Sequence, residues 1–170
     1  GQESAGIVVS DGQKLQSAKG MGLLTQAIPI DKLERFFGNL AIGHVRYSTT
    51  GSSTINNIQP LVVDYSEGVI ALAHNGNLVN ARKFRDEYEA YGSILQTSTD
   101  SEILVHLIAK PSHVAKKNNL EHCLNHLSGA FCFVFLRKDC LMAARDPQGF
   151  RPLCLGKLSK DDNKLDYVVA

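Results

Sequence analysis

The 170-residue sequence has no tryptophan, two methionines and five prolines. No apolar run comes near the roughly 20 residues that a membrane-spanning helix needs. Eighteen Lys and Arg stand against 17 Asp and Glu, a formal net charge of +1. That balance provides no electrostatic footprint for nucleic acid or for an anionic membrane. The four cysteines, Cys123, Cys132, Cys140 and Cys154, form no CxxC pair, so neither a zinc knuckle nor a dithiol redox motif is indicated. Three of them sit in apolar stretches, where a free cysteine acts as a small core residue; this fits a reducing, cytosolic compartment. The opening residues are neither basic nor apolar enough for a targeting segment. Asp11-Gly12 and Lys19-Gly20-Met21-Gly22 lack the GxxxxGK[ST] spacing of a phosphate loop. His122 and His126 stand four apart, but without HExxH or an evident third ligand they read as a helix face. No metal site is expected.

What remains is ordinary globular composition, 44% hydrophobic and 21% charged, enough for one compact domain. Ser4–Ser10 reads as a strand, turning at Asp11-Gly12 into a second strand over Lys14–Ala18, with a glycine-punctuated loop at Lys19–Gly22. A short helix is predicted over Asp31–Phe37, capped by Gly38. Leu40–Tyr47 is a strand, followed by a polar loop from Ser48 to Pro60. Strands over Leu61–Tyr65 and Val69–Ala73 follow, the second ended sharply by His74-Asn75-Gly76-Asn77. A charged helix spans Val79–Tyr91. Thr99-Asp100-Ser101-Glu102 matches a capping box with Thr99 as N-cap, opening a helix that Pro111 stops near Lys110. Another short helix covers Leu120–Leu127. Ala130–Leu136, the apolar run AFCFVFL, reads as a strand buried on both faces. Leu141–Ala144 and Pro152–Leu155 look like paired strands around Asp146-Pro147-Gln148-Gly149, and Leu165–Val169 is the last strand. Adjacent strands with helices clustered between them give an α+β pattern. A strand buried on both faces calls for two stacked sheets with helices outside.

Three local patterns can carry chemistry. His74-Asn75-Gly76 follows an apolar strand directly. An Asn amide beside a free backbone N–H makes a two-donor oxyanion hole, in which one donor is worth about 10²–10³ in rate; a plain turn is the simpler local alternative. Arg46, in Gly43-His44-Val45-Arg46-Tyr47-Ser48-Thr49-Thr50-Gly51, could clamp a carboxylate at two points, with Thr49 and Thr50 adding hydroxyls, or form a surface ion pair. Asp100 at a helix start could take an ammonium group or simply complement the helix dipole. An amino-acid ligand needs one cationic and one anionic clamp, and Arg46 and Asp100 are one of each.

In order, GQESAGI, KGMGL, GHVRYSTTG, QP, AHNGNLVN, STDSE, GAFCFVFL and ARDPQGFRPLCLG resemble the glutamine phosphoribosylpyrophosphate amidotransferase family over essentially the whole chain. GQESAGI and RYSTTG separate it from glucosamine-6-phosphate synthase and asparagine synthetase. The resemblance implies a four-layer αββα sandwich of the N-terminal-nucleophile hydrolase type. It also implies a mechanism in which an N-terminal Cys attacks the glutamine amide with its own α-amine as base. By the same resemblance Asn75 and Gly76 form the oxyanion hole, Arg46 holds the α-carboxylate, Thr49 contacts glutamine and Asp100 takes the α-amino group. Ammonia then passes to a phosphoribosyltransferase domain that makes phosphoribosylamine.

Against that family pattern the chain is expected to be incomplete at both ends. On that pattern the nucleophilic Cys with its strand is expected to be missing, truncating the N-terminal side, and the phosphoribosyltransferase domain is expected to be missing too. A fragment of this extent is expected to be inactive alone. No cofactor is expected in this domain, Mg²⁺ belongs to the absent domain, and an iron–sulfur cluster, carried by some members, is undecided. The expected partners are glutamine, the phosphoribosyltransferase domain and, in the parent, further copies in a homo-oligomer. Two other readings stay open: a non-catalytic glutamine-binding or oligomerisation module, and another N-terminal-nucleophile glutamine amidotransferase.

Overall fold

The computed structural model describes residues 2–47, 54–161 and 164–170. Two sheets lie face to face. The first has strand order β2-β1-β3, built from β1 (Ser4–Ser10), β2 (Leu15–Met21) and β3 (Leu40–Arg46). The second, β4-β5-β6-β7, contains β4 (Leu61–Tyr65), β5 (Gly68–Leu78), β6 (Gly129–Leu136) and β7 (Leu141–Arg145). A separate hairpin pairs β8 (Leu155–Asp161) with β9 (Lys164–Val169). All strand pairs are antiparallel.

The two-residue period of a strand divides its side chains between two cores. Val8 and Ile42 from the first sheet meet Ala71 and Leu136 from the second, forming a thin apolar layer between them. On its other side the first sheet packs Ala5 against Ala27 and Ile28, supplied by the short helices α1 (Leu24–Ala27) and α2 (Ile30–Leu33). The outer face of the second sheet is the main core. Ile70, Leu72, Phe131, Phe133 and Phe135 pack there against Ile103, Leu104, Leu107 and Ile108 of α4 (Ser101–Ala109). Tyr88 of α3 (Ala81–Ala90) and Cys123 of α6 (Asn119–Leu124) complete it. Each fully buried Leu, Ile or Phe contributes about 1.5–3 kcal/mol by leaving water. Helices, sheet, sheet, helices is the αββα sandwich.

Several local expectations are corrected. The stretch Lys19–Met21 is not loop but the end of β2, which stays paired with β1 through Met21↔Ser4. The predicted helix over Asp31–Phe37 is replaced by a single turn at Ile30–Leu33, with Phe37 79% exposed and unable to anchor a longer helix. Pro152–Leu155 does not pair with β7; β7 pairs with β6, and the chain after Pro152 enters the β8–β9 hairpin. The N-cap of α4 is Asp100 rather than Thr99, without a side-chain cap bond. Glu102 instead turns back to accept the N–H groups of Gln96 (2.7 Å) and Thr97 (2.8 Å). Burial opposes its charge, but the His106 and Gln96–Thr97 hydrogen bonds prevail and bring Glu102 down to about 2.

Candidate active site

β5 does not stop at His74. It runs on to Leu78, and Asn75, Gly76 and Asn77 pair with Cys132, Phe131 and Ala130 of β6. The expected sharp turn at Asn-Gly is therefore an extended strand end, and the reason is packing. A Cβ on Gly76 would lie 2.1 Å from the Ala130 carbonyl oxygen, so only glycine allows β6 this close.

The ladder leaves the Gly76 amide facing away from β6. Opposite it, Phe131 gives its N–H to Asp146 Oδ2 (3.2 Å) and accepts the Asp146 N–H at its carbonyl (2.8 Å). In an antiparallel pair such outward bonding marks a non-hydrogen-bonded couple. On its other side β5 loses its neighbour, because β4 begins at Leu61, opposite Leu72. The N–H groups of residues 74, 76 and 78 point to that open edge. His74 N–H is taken by Gln59 Oε1 (2.6 Å) and Leu78 N–H by Asp100 Oδ2 (2.8 Å). The Gly76 N–H stands between these two, along the same edge.

Asn75, next in the chain, carries a side-chain amide. Its Oδ1 accepts from Arg151 Nη2. A guanidinium only donates, so this contact fixes which end of the amide is oxygen and leaves Nδ2 to donate elsewhere. Arg151 is held by its own loop. Asp146, buried at 2% exposure, accepts the backbone N–H of Phe150 (3.0 Å) and of Arg151 (3.2 Å). Burial works against the Asp146 charge, but the amides of Phe150, Arg151, Phe131 and Gly149 keep its carboxyl below the usual range.

These groups border a cavity of about 800 Å³ whose wall includes Arg46, Gln59, His74, Asn75, Gly76 and Thr99. Arg46 is the last residue of β3 and is 6% exposed. This burial is unlike a solvated surface ion pair. His44, two residues earlier on β3, borders the same cavity. Burial first, then the neighbouring His74 and Arg46, push His44 down to about 4.

Asp100 does not line the cavity. It stands behind it, with Oδ2 on the Leu78 amide and Oδ1 3.3 Å from His74 Nδ1. Burial works to raise Asp100, yet the bonds from His74, Leu78 and Ser101 hold it below the usual carboxylate range. Of the residues the sequence singled out, the structure thus joins Arg46, Asn75 and Gly76 in one cavity and sets Asp100 adjacent through His74. Thr49 lies outside the described residues.

Four residues of the site were not given a role by the sequence reading: Gln59, His74, Asp146 and Arg151. His74 stacks on Phe133 at 4.3 Å between ring centroids, and its Nδ1 is 3.1 Å from Ser101 Oγ. Gln59 is seated by close contact with β1, where a Cβ on Gly6 would come within 2.3 Å of the Gln59 carbonyl oxygen. The QP and ARDPQGFRP motifs were the available signals for Gln59, Asp146 and Arg151. None of the four cysteines lines this cavity. Cys123 is buried in the helical layer and pushed up to about 11 by that burial. Burial also raises Cys132 and Cys140.

Two packed sheets between helical layers, with paired donors and a buried cation at a sheet edge, define the N-terminal-nucleophile hydrolase class. More narrowly, the chain belongs to the glutamine amidotransferase domain family, which matches residues 44–165. It is 45% identical to the amidophosphoribosyltransferase of Bacillus subtilis (strain 168) over its whole length and 35% of that protein. It is 47% identical to the chloroplastic amidophosphoribosyltransferase 2 of Arabidopsis thaliana, over 94% of this chain and 28% of that one. The solved glutamine phosphoribosylpyrophosphate amidotransferase of B. subtilis, complexed with ADP and GMP, superposes with a TM-score of 0.86 at 43% identity. That match covers 99% of this chain and 35% of that one. A second structure, described as the allosteric regulatory enzyme of purine biosynthesis, gives 0.89 at 44% identity, covering 99% and 36%. The chain spans about a third of the length of these relatives.

Proposed function

We propose that this chain is the glutamine-hydrolysing part of an amidophosphoribosyltransferase. It would release ammonia from the glutamine side chain for synthesis of 5-phosphoribosylamine, the first step of de novo purine synthesis, on a separate phosphoribosyltransferase domain. The observation that carries this reading is that Asn75, Gly76 and Arg46 line one cavity, with the Asn75 amide oxygen turned to Arg151 and its Nδ2 left to donate.

The chemistry follows from these groups. Arg46 binds the α-carboxylate of glutamine through its guanidinium. Asp100, negative and joined to His74 of the wall, attracts the α-ammonium group from behind that wall. The side-chain amide then reaches the two donors. A cysteine thiolate attacks its carbon, and negative charge develops on the oxygen against Asn75 Nδ2 and Gly76 N–H. The donors are fixed beforehand by Arg151 and the β5–β6 ladder, so they need no reorganisation as charge appears. Collapse of the tetrahedral intermediate forms a glutamyl thioester and expels ammonia, protonated by the α-amine that took the thiol proton. Water then releases glutamate. The thiol and amine belong to an N-terminal cysteine outside these 170 residues. Thr49 is a further contact to glutamine in this reading. Mg²⁺ belongs with the phosphoribosyltransferase domain, and the parent is a homo-oligomer. Four free cysteines support a reducing, cytosolic setting.

The test is glutamate release by the full-length protein. Wild type should turn over glutamine, and Arg46→Ala should raise KM far more than it lowers kcat. Turnover insensitive to Arg46 would sink the reading.

A further inference from the structure

The histidine pair that looked like a bare helix face has a third member. His113 lies on α5 (Pro111–Val114), which packs on α6. His122 belongs to α6, and His126 sits one turn further, its N–H bonded to the Cys123 carbonyl (3.1 Å). The three rings crowd together, with centroids 4.6–5.2 Å apart. One ring nitrogen from each lies within 4.8 Å of the others. None of the three borders the cavity of Arg46 and Asn75.

We propose that His113, His122 and His126 form a binding site for a divalent, imidazole-preferring cation, with zinc(II) its natural occupant, stapling α5 to α6.

The hydrogen bonds outside the cluster orient the ligands. His113 Nδ1 is 3.0 Å from the Leu107 carbonyl and His126 Nδ1 is 2.8 Å from the His122 carbonyl. A carbonyl only accepts, so each Nδ1 carries a proton and each Nε2 is the nitrogen left for a metal. Carbonyl-backed imidazoles of this kind are the usual metal-ligating arrangement. Zinc–nitrogen bonds of about 2.0–2.1 Å place tetrahedral ligand atoms about 3.4 Å apart. The cluster must therefore contract by up to about 1.4 Å, which the half-buried His122 and exposed His126 can do by side-chain rotation. Buried His113 is the fixed point. Cys123 is not a fourth ligand. Its Sγ is 3.6 Å from His113 Nδ1, on the carbonyl-bonded side of that ring, and donates to Asn119 Oδ1 (3.1 Å). The ligand set is three imidazoles with a remaining position toward solvent. Neutral nitrogen donors select zinc(II), nickel(II) or copper(II) over magnesium or calcium.

Competition for zinc against a chromophoric chelator, on the metal-free full-length protein, tests the site. Wild type should bind one equivalent more tightly than His122→Ala/His126→Ala by at least about 100-fold. Cobalt(II) should give a spectrum of tetrahedral intensity in wild type alone. Both substituted positions are at least partly exposed, and His126→Gln gives a milder variant if the double one folds poorly. Zinc should raise the urea midpoint of wild type and leave that of either variant unmoved, because only a native site couples binding to folding. Equal zinc affinity in wild type and variants, or an equal zinc effect on their midpoints, would overturn the proposal. Glutamate release plays no part in this readout, so its outcome is separate from the proposed function.

Discussion

Asn75→Asp isolates the proposed oxyanion hole with almost no change of shape. The carboxylate keeps an oxygen for Arg151 Nη2, so that contact persists with an added opposite charge. What changes is the atom facing the substrate: Nδ2, a donor, becomes a carboxylate oxygen. Losing one oxyanion donor costs about 2.7–4 kcal/mol, or 10²–10³ in kcat. A negative oxygen about 3.5 Å from the developing oxyanion adds repulsion of order 332/(20 × 3.5), about 5 kcal/mol at an effective dielectric constant of 20. The Arg151 charge offsets part of that. The expected loss in kcat is therefore at least about 10³, and larger than that of Asn75→Ala. KM for glutamine should change little, because the α-carboxylate and α-amino clamps are untouched. The assay is steady-state glutamate release by the full-length protein, with urea denaturation as the control for folding. An Asn75→Asp enzyme that folds normally and keeps kcat within tenfold of wild type would refute the reasoning, as would one less impaired than Asn75→Ala.

Other outcomes follow from the same contacts. Gly76→Ala places a Cβ 2.1 Å from the Ala130 oxygen; the β5–β6 ladder must part, and the expected loss exceeds about 3 kcal/mol by urea denaturation. Phe133→Ala removes a fully buried ring from the main core and should cost about 3–5 kcal/mol. His44, pushed from the usual 6.5 to about 4 in the fold, binds its proton more readily when unfolded. Stability should then fall as pH drops from about 6.5 toward 4, by about 2 kcal/mol at pH 5 relative to pH 7.5. His44→Asn should flatten that limb in urea titrations, leaving the further loss below about pH 4.5 that comes from protonating Glu102, held at about 2.

The sandwich was legible because its signals were physical and local. AFCFVFL reads as a strand between two layers, and it is the centre of the structure, with Phe131, Phe133 and Phe135 on the helices and Leu136 between the sheets. Arg46, Asn75 and Gly76 were legible through ordered motifs, and the structure brings them to one cavity. The errors have a common cause, the dominance of tertiary contact over local preference. Asn75-Gly76 favours a turn in isolation, yet β6 passes so close that the glycine is used for proximity. Asp31–Phe37 has helical composition, yet it has little core beneath it. Gln59, His74 and Arg151 were missed because their roles are relations across 15 to 76 positions of sequence. The same holds for His113, whose partners are supplied by a later helix.

The central claim is that Arg46 and the Asn75–Gly76 donors form one glutamine site. It is tested most directly by substrate discrimination in the full-length protein. Wild type should favour glutamine over its analogue lacking the α-carboxylate by about 30-fold or more in kcat/KM, the worth of one desolvated charge pair. Arg46→Ala should turn over the two alike, with kcat on the analogue unchanged from wild type. A variant that still prefers glutamine to the same degree would show that the carboxylate is held elsewhere and would contradict the account.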